Sequence, residues 1–497
     1  MLDRLKLANI NTVLLQTRVR ATTIYPSDME PWDGCMSGKP GVSPGYDPLL
    51  FAIDECHRRG MELHAWVVCI PIGKWNNYGC RQLRKHKPEL VKRIGDEGFI
   101  DPEKPAAADY MANICDEITR KYDIDGIHLD YIRYPETWRG RLDGQRGRTN
   151  ITRIVERVAT AVKRRKPWVK MSCSPIGKHD DLSRYSSYGW NARTKVCQDA
   201  QAWLANGLMD QLYPMMYFKG NQFYPFAIDW KENSNERVIA PGLGIYFLSP
   251  KEKDWDIGVI RRQLHFLREE GLGQAFFRCK FLLDDTKGLY GILRDEINRY
   301  PSLIPPLVPD GRNRPTPQAP VNLKLTKGNG TDRLSWNDSE AFPQDDCLYN
   351  VYNIYASPTY PVDTTDPRNL VETRYTDCSI DIPNAAGYKL HYAVTATDRY
   401  GNESRAATTP IPAKADAHEP EAMLPCNGKV LTLPDKTVAS DAEYIAIESA
   451  AGNIISIVPY SNGTINVGDN PEGFYVVRSL GRKGNSHRLG FFIIKRN

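Results

Sequence analysis

The stretch 125-DGIHLDYIRYP-135 decides how residues 1–300 fold. Read with a period of two, Gly126, His128 and Asp130 share one face, while the apolar Ile127 and Leu129 share the other. A helical pattern, 106-AAADYMANICDEITRKY-122, leads into it. A strand that is apolar toward its helices and polar toward an interior suits a parallel (β/α) sheet whose interior opens at the C-terminal strand ends. Asp130 then lies at the mouth.

Working outward, similar apolar runs occur at 12-TVLLQ-16, 62-ELHAWVV-68, 168-WVKMSCS-174, 209-MDQLYPMMY-217, 238-VIAPGLGI-245 and 273-GQAFFRC-279. Between them lie helical patterns such as 48-PLLFAIDECHRRG-60, 151-ITRIVERVATAVKRRK-166, 192-ARTKVCQDAQAWLANG-207 and 258-GVIRRQLHFLREEG-271. This α/β alternation predicts a TIM (β/α)8 barrel over 1–300 rather than a doubly wound sheet, because no glycine-rich phosphate turn follows the first strand. The count is one strand short. Since the chain opens on the helical LDRLKLANI, the first strand is expected upstream of Met1 in a longer precursor.

Residues 301–320, PSLIPPLVPDGRNRPTPQAP, read as a Pro-rich linker. Short alternating runs then predict two small all-β sandwich domains, at 321–412 and 425–497. The first carries 332-DRLSWND, 348-LYNVYNIYAS and 388-YKLHYAVTATDRYGNES; the second carries 444-YIAIES, 454-IISIVPYS, 474-FYVVRSL and 488-RLGFFIIKRN.

With 65 Lys and Arg against 60 Asp and Glu, no strong field points to nucleic acid or an anionic membrane. No apolar run is long enough for a transmembrane segment. The 11 cysteines lack CxxC pairs, so neither a disulfide framework nor a zinc cage is expected. The stretch 178-KHDD-181 fits no common ligand spacing, so no metal or cofactor is expected. The 26 Tyr and 10 Trp suit rings that stack on sugars, and equally suit large cores.

A carboxylate at the mouth can protonate a glycosidic oxygen or attack an anomeric carbon, and Arg133 is placed to hold Asp130 ionised. The same spacing fits an Asp130 that only caps the next turn and pairs with Arg133. Asp125, at the opposite strand end, reads as a buried turn or ion pair. The other groups placed at strand ends for substrate binding are Gln16, Arg18, His64, Trp66, His128, Tyr213 and Tyr217, beside Ser172, Ser174, Arg278 and Lys280. The long loop 22–49 offers Trp32 and Tyr46 as a stacking platform, whereas Asp47 before Pro48 reads as a helix N-cap. Glycosidase chemistry needs two carboxyl groups. Glu136, Asp180 and Asp181 are the candidates for the second.

The ordered motifs 9-NINTVLLQTR-18, 45-GYDPLLFAIDECHRRGMELHAW-66, 100-IDP-102, 121-KYDIDGIHLDYIRYP-135 and 209-MDQLYPMMY-217 resemble the glycosyl-hydrolase-like family ten of bacterial cell-envelope proteins. The resemblance implies a (β/α)8 barrel acting on a polysaccharide, with peptidoglycan strands, a β-linked amino-sugar glycan, as the substrate of some members. It also implies a secreted or cell-envelope protein. Family members usually open on a strand of the RGVWLT kind, which this chain lacks. The chitinase pattern DGxDxDxE is only partly matched, because His128 and Ile132 stand where Asp and the catalytic Glu would be. Residues 388–404, with Trp336, resemble the closing strands and core of a fibronectin type III domain. The region 473–497 is faintly similar to secreted sorting domains. The reading is a monomeric glycoside hydrolase. The competing readings are a non-catalytic glycan-binding envelope protein with a degenerate barrel, and a structural adhesin.

Overall fold

The computed structural model describes residues 1–138, 143–185, 189–308, 316–339, 348–383, 390–409, 423–427, 429–433, 438, 442–450, 453–461, 463–481 and 486–494. The chain divides into two compact units, Met1–Pro315 with Arg399–Asn402, and Thr316–Asp398 with Glu403–Asn497.

The first unit opens on the helix Leu2–Leu7, followed by β1 (Thr12–Arg18) and β2 (Glu62–Val68). A small antiparallel sheet of β3 (Pro71–Lys74), β4 (Val91–Ile94) and β5 (Glu97–Ile100) follows, ordered β3-β5-β4. The remaining strands are β6 (Gly126–Asp130), β7 (Lys170–Cys173), β8 (Gln211–Leu212), β9 (Val238–Ile239), β10 (Gly242–Leu243) and β11 (Ala275–Phe276). β1-β2-β6-β7-β8-β9 form one six-stranded parallel sheet, and β10-β11 form a parallel pair. The α/β alternation read from the sequence is therefore present, and each of the seven apolar runs contains a parallel strand.

All five residues of β6 are buried, as a strand covered on both faces requires. The helix start read at Asp47 is present. Asp47 caps the helix Pro48–His57, accepting hydrogen bonds from the amides of Leu49 and Leu50 at 3.0 and 3.1 Å, with proline at the first helical turn. Leu49, Ile53 and Cys56 then line its buried face. The helix Gly144–Arg165 begins seven residues before the apolar run that predicted it, because Asp143 caps it through the amides of Gln145 and Arg146. The run 192–207 is not one helix but two short ones, Ala192–Lys195 and Ala200–Ala205, separated by Cys197 at φ 59°. The loop 22–49 is partly ordered by Glu30, Asp33 and the short helix Gly34–Ser37.

Parallel register sets the interior in rows. Leu14, His64, Gly126 and Lys170 are aligned in one row, and Gln16, Trp66, His128, Ser172 and Gln211 in the next. Gly126 is needed in its row, since a Cβ there would stand 2.6 Å from Nδ1 of His64. Beside it lies a buried ion cluster in which the Lys170 ammonium meets Glu62 Oε1 and Glu62 Oε2 lies 3.1 Å from His64 Nε2.

In the second unit, β12 (Val321–Thr326), β13 (Thr331–Asn337), β14 (Val351–Ser357), β15 (Leu370–Tyr375), β16 (Ser379–Pro383), β17 (His391–Thr397) and β18 (Ala407–Thr408) form two antiparallel sheets, ordered β12-β13-β16 and β15-β14-β17-β18. Both contribute to one core around Trp336, Tyr352, Ile354 and Val394. β19 (Cys426–Asn427), β20 (Val430–Thr432), β21 (Ala442–Ser449), β22 (Ile454–Pro459), β23 (Thr464–Asn466), β24 (Gly473–Gly481) and β25 (Ser486–Ile494) form a second pair of sheets, ordered β19-β20-β23 and β22-β21-β24-β25, over Ile445, Val477 and Phe492.

Candidate active site

Asp130 ends β6 with only 5% of its surface exposed. Three donors hold its carboxyl group: the Ser174 hydroxyl at 2.8 Å and the Tyr131 amide at 2.8 Å on Oδ1, and the Trp66 indole N–H at 3.1 Å on Oδ2. They come from three places in the chain: the end of β2, the turn after β6 and the end of β7. Tyr131 supplies its amide from a left-handed backbone, φ 51°. Burial pushes the Asp130 carboxyl above the usual carboxylate range, and the donors and the Arg133 charge pull it down without cancelling that effect.

Arg133 does not hydrogen-bond Asp130, contrary to the expectation from spacing. Its guanidinium pairs with Glu136 at 2.8 Å and lies 4.7 Å over the Tyr131 ring. Arg133 and Glu136 stand three residues apart, so the arginine pairs forward along the chain rather than back.

Next to Asp130, the His128 ring meets Trp66 and Tyr213 edge-on, with centroids 6.1 and 5.3 Å away, and its Nδ1 lies 3.0 Å from the Ser172 hydroxyl. Desolvation, with a smaller contribution from His64, drives its pKa down to about 3, so the ring is neutral near pH 7. Tyr217 stacks on Phe277 at 5.6 Å and meets Tyr246 edge-on at 5.7 Å. Burial raises the Tyr217 phenol, and the Asp130 charge adds to the shift.

The structure thus brings together Asp130, Trp66, His128 and Tyr213, with Gln16 exposed in the same row as Trp66, while Tyr217 packs with Phe277 and Tyr246. Other expected members lie elsewhere. Arg18 is fully buried, bound to Glu30 at 2.6 and 2.8 Å and to the carbonyls of Val68 and Cys69, so it braces the loop after β1 instead of lining a cleft. His64 sits one row below the mouth, against Glu62. Tyr46 is exposed in loop 22–49, and the Trp32 carbonyl accepts from the Gly41 amide within that loop; neither has a ring contact with the Asp130 group. Asp125 accepts from the Leu63 amide at 2.9 Å and lies 2.7 Å from His57 Nε2, as an end-of-strand anchor would.

Of the carboxyl groups weighed as a partner for Asp130, Glu136 is half-exposed. Partial burial raises its pKa, but the hydrogen bond and charge of Arg133 outweigh this and hold it below the usual range. Asp180 is bound by Arg193 at 2.9 Å, and Asp181 is exposed. His179 of the same stretch lies 3.4 Å from Asp199, not against these carboxylates. Ser174, one of the polar groups read at the strand ends, is a donor to Asp130. Tyr131 is the contributor that spacing does not single out, because the turn that points its amide backward leaves no mark in the sequence.

The family model for glycosyl hydrolase-like 10 matches residues 1–146 and 141–249. Glycosyl hydrolase YngK of Bacillus subtilis (strain 168) is 26% identical over 453 residues, 82% of this chain and 86% of that protein. Glycosyl hydrolase DigH of Escherichia coli (strain K12) is 30% identical over 250 residues, 44% of this chain and 56% of that protein. Thus the chain spans most of the first relative and little more than half of the second. Among solved structures, alpha-L-fucosidase isoenzyme 2 from Paenibacillus thiaminolyticus aligns over 61% of this chain and 47% of its own at 14% identity, with a TM-score of 0.42. With matches that run from Met1 through β6 and β7 to residue 249, the chain belongs to the glycosyl hydrolase-like 10 family.

Proposed function

We propose that this protein is a glycoside hydrolase that cleaves O-glycosyl bonds in a polysaccharide, with Asp130 as the carboxyl group at the reacting centre. The observation that carries the reading is the placement of Asp130: a buried acid at the C-terminal end of a parallel strand, fixed by three donors and flanked by Trp66 and His128. Ionised, the group can attack an anomeric carbon or stabilise the positive charge that develops there. With its pKa raised by burial, it can also carry the proton that a departing glycosidic oxygen needs. The rings at the mouth supply flat apolar faces for sugars. Glu136, paired with Arg133, is the second carboxyl in this reading, with Asp181 as its competitor.

The substrate class that fits the family is a β-linked amino-sugar glycan such as peptidoglycan strands, and a location at the cell envelope or outside the cell goes with that reading. The parallel strands found in all seven runs support a TIM-type barrel over residues 1–300. The sheet orders β12-β13-β16 and β15-β14-β17-β18 support a fibronectin type III-like sandwich at 321–412, after a linker at 301–320, with a further sandwich at 425–497. A monomer acting on a polysaccharide, without a cofactor, completes the reading. One observation favours a glycan-binding protein without turnover instead: Glu136 is already committed to an ion pair. Incubating the protein with purified peptidoglycan and with a panel of plant and host glycans, read by mass spectrometry, separates the two. New reducing ends support hydrolysis; retention of intact glycan without any product would reject it.

A further inference from the structure

The near balance of charge over the whole chain does not hold locally. The excursion 71–100, between β2 and the helix Pro105–Lys121, carries seven Lys and Arg against Glu89, Asp96 and Glu97, a net charge of +4 where the whole chain has +5. It folds as the small sheet β3-β5-β4, with the helix Tyr78–His86 packed against it where Cys80 meets Gly98. Gly79, Cys80 and Leu83 form the buried side of that helix. Arg81, Arg84 and Lys85, at helical spacings of three and four, share a second face, with Arg84 at its border. There Arg84 lies 3.9 Å over the ring of Trp75, and Arg93, from β4, lies 4.9 Å over the same ring. Two elements thus bring their guanidiniums to one half-buried indole.

These cations lack counter-charges. Of the seven, only Lys74, 3.6 Å from Asp96, and Lys92, 3.7 Å from Glu103, have an ion-pair partner among the described residues. Arg93 gives its Nε–H to the Gly95 carbonyl at 3.1 Å, and the buried Nε of Arg84 has no hydrogen-bond partner among the described residues. On the arginine-rich helix Gly144–Arg165 the charges are answered instead: Arg157 by Asp109, Arg165 by Asp116 and Lys163 by Asp210. Basic composition alone therefore does not set 71–100 apart; the unanswered charge does. A ring already covered by guanidiniums offers little face to a sugar or a base, which disfavours recognition by stacking. A stacked guanidinium keeps its in-plane N–H fork for phosphate oxygens, and an indole beside it suits the boundary between lipid headgroups and water.

We propose that the face formed by Arg81, Arg84, Lys85 and Arg93 around Trp75 docks on anionic phospholipid headgroups, so that the protein works at a membrane surface without spanning it. Each cation near an anionic leaflet contributes about fivefold in partitioning. The attraction falls off within a Debye length, roughly 10 Å at 0.1 M salt. This dock goes beyond the glycosidase reading and does not depend on it.

The test is co-sedimentation of the full-length protein with vesicles of phosphatidylcholine alone and of phosphatidylcholine mixed with phosphatidylglycerol. The protein is expected to sediment with the mixed vesicles and to stay in solution with the neutral ones, and raising the salt from about 0.1 to about 0.5 M should release it. Arg81→Gln with Lys85→Gln should weaken partitioning about 25-fold, and Arg84→Gln with Arg93→Gln at least as much. Arg81 and Lys85 are exposed, so the first pair decides the matter even where loss of Arg84 impairs folding. Arg157→Gln with Arg165→Gln removes the same charge from the helix Gly144–Arg165 and should leave partitioning unchanged. Equal sedimentation with both kinds of vesicle, or an equal loss in the variants of the two helices, overturns the dock. So does displacement of the protein from mixed vesicles by single-stranded DNA at an equal phosphate concentration, which would assign the face to a soluble polyanion.

Discussion

Ser174 reaches across from the end of β7 and donates its hydroxyl to Asp130 Oδ1 at 2.8 Å, so the charge on β6 is set partly by its neighbour strand. Removing this donor withdraws an interaction that favours the ionised carboxyl, and the Asp130 pKa, already raised by burial, should rise further. A hydrogen bond to a charged group is worth roughly 1.5–3 kcal/mol, which corresponds to about one to two pH units. In Ser174→Ala the limb of the pH–rate profile that reports Asp130 should move upward by that order. Movement of the acidic limb marks a nucleophile or stabiliser, movement of the alkaline limb marks a general acid, and a profile that keeps both limbs in place contradicts the link between Ser174 and catalysis. The charges and ionisable groups of Tyr131, Tyr217, Arg133, Cys69 and Cys173 also act on Asp130 or feel its charge, and they are unchanged in this variant.

Asp130→Asn keeps the shape of the side chain and removes its ionisation. Turnover should fall by at least about a hundredfold, while the thermal midpoint and glycan affinity stay near wild type. Retained activity in a protein free of wild-type contamination would remove Asp130 from the chemistry.

His128 gives a pH signature in stability rather than in rate. Its folded pKa is pushed from the usual 6.5 down to about 3. As pH falls through about 6.5 the unfolded chain binds a proton that the native protein refuses, so the contribution of this group is intact above that pH and is lost between about 6.5 and 3. Urea midpoints measured at pH 7, 5 and 4 should therefore fall less steeply in His128→Gln than in wild type. Parallel slopes would mean that His128 is not held neutral by burial.

Glu30→Ala strands a fully buried Arg18 that now holds only backbone carbonyls. Loss of one partner of a buried pair costs about 3–5 kcal/mol, to be read as a drop in the denaturation midpoint. A change of a few tenths of a kcal/mol would show that water reaches the site.

Limited trypsin digestion tests the domain proposal. The first cuts should fall within 301–320, where proline and polar residues lie between two runs of ordered core. Early cuts inside 1–300 instead would place the boundary wrongly.

What was legible in the sequence follows the reach of each signal. The parallel strands stood out because Val, Leu and Ile concentrate where helices cover both faces, and a period of two placed His128 and Asp130 on the inner side, where Ser172 and Ser174 meet them. Caps such as Asp47 act over three residues and were equally plain. The strands β4 and β5 were not, because VKRI and EGFI are short and mostly polar, and only their pairing makes them a sheet. Arg18 misled for a related reason: a strand-end arginine looks like a cleft residue until Glu30, twelve residues on, folds back against it. Arg133 and Glu136 are neighbours in sequence and in space, yet spacing alone could not say which carboxylate the arginine would choose.

The three donors to Asp130 come from β2, from the turn after β6 and from the end of β7, strands aligned through Val68 with Asp130 and through Cys173 with Leu129. A slip of one residue in either pairing turns Trp66 or Ser174 to the opposite face. The carboxyl environment therefore works as an assembly gauge. It is complete only when three strands, separated along the chain by whole helices, have settled into a single alignment, so a misassembled sheet would carry the same aspartate without the donors that define it.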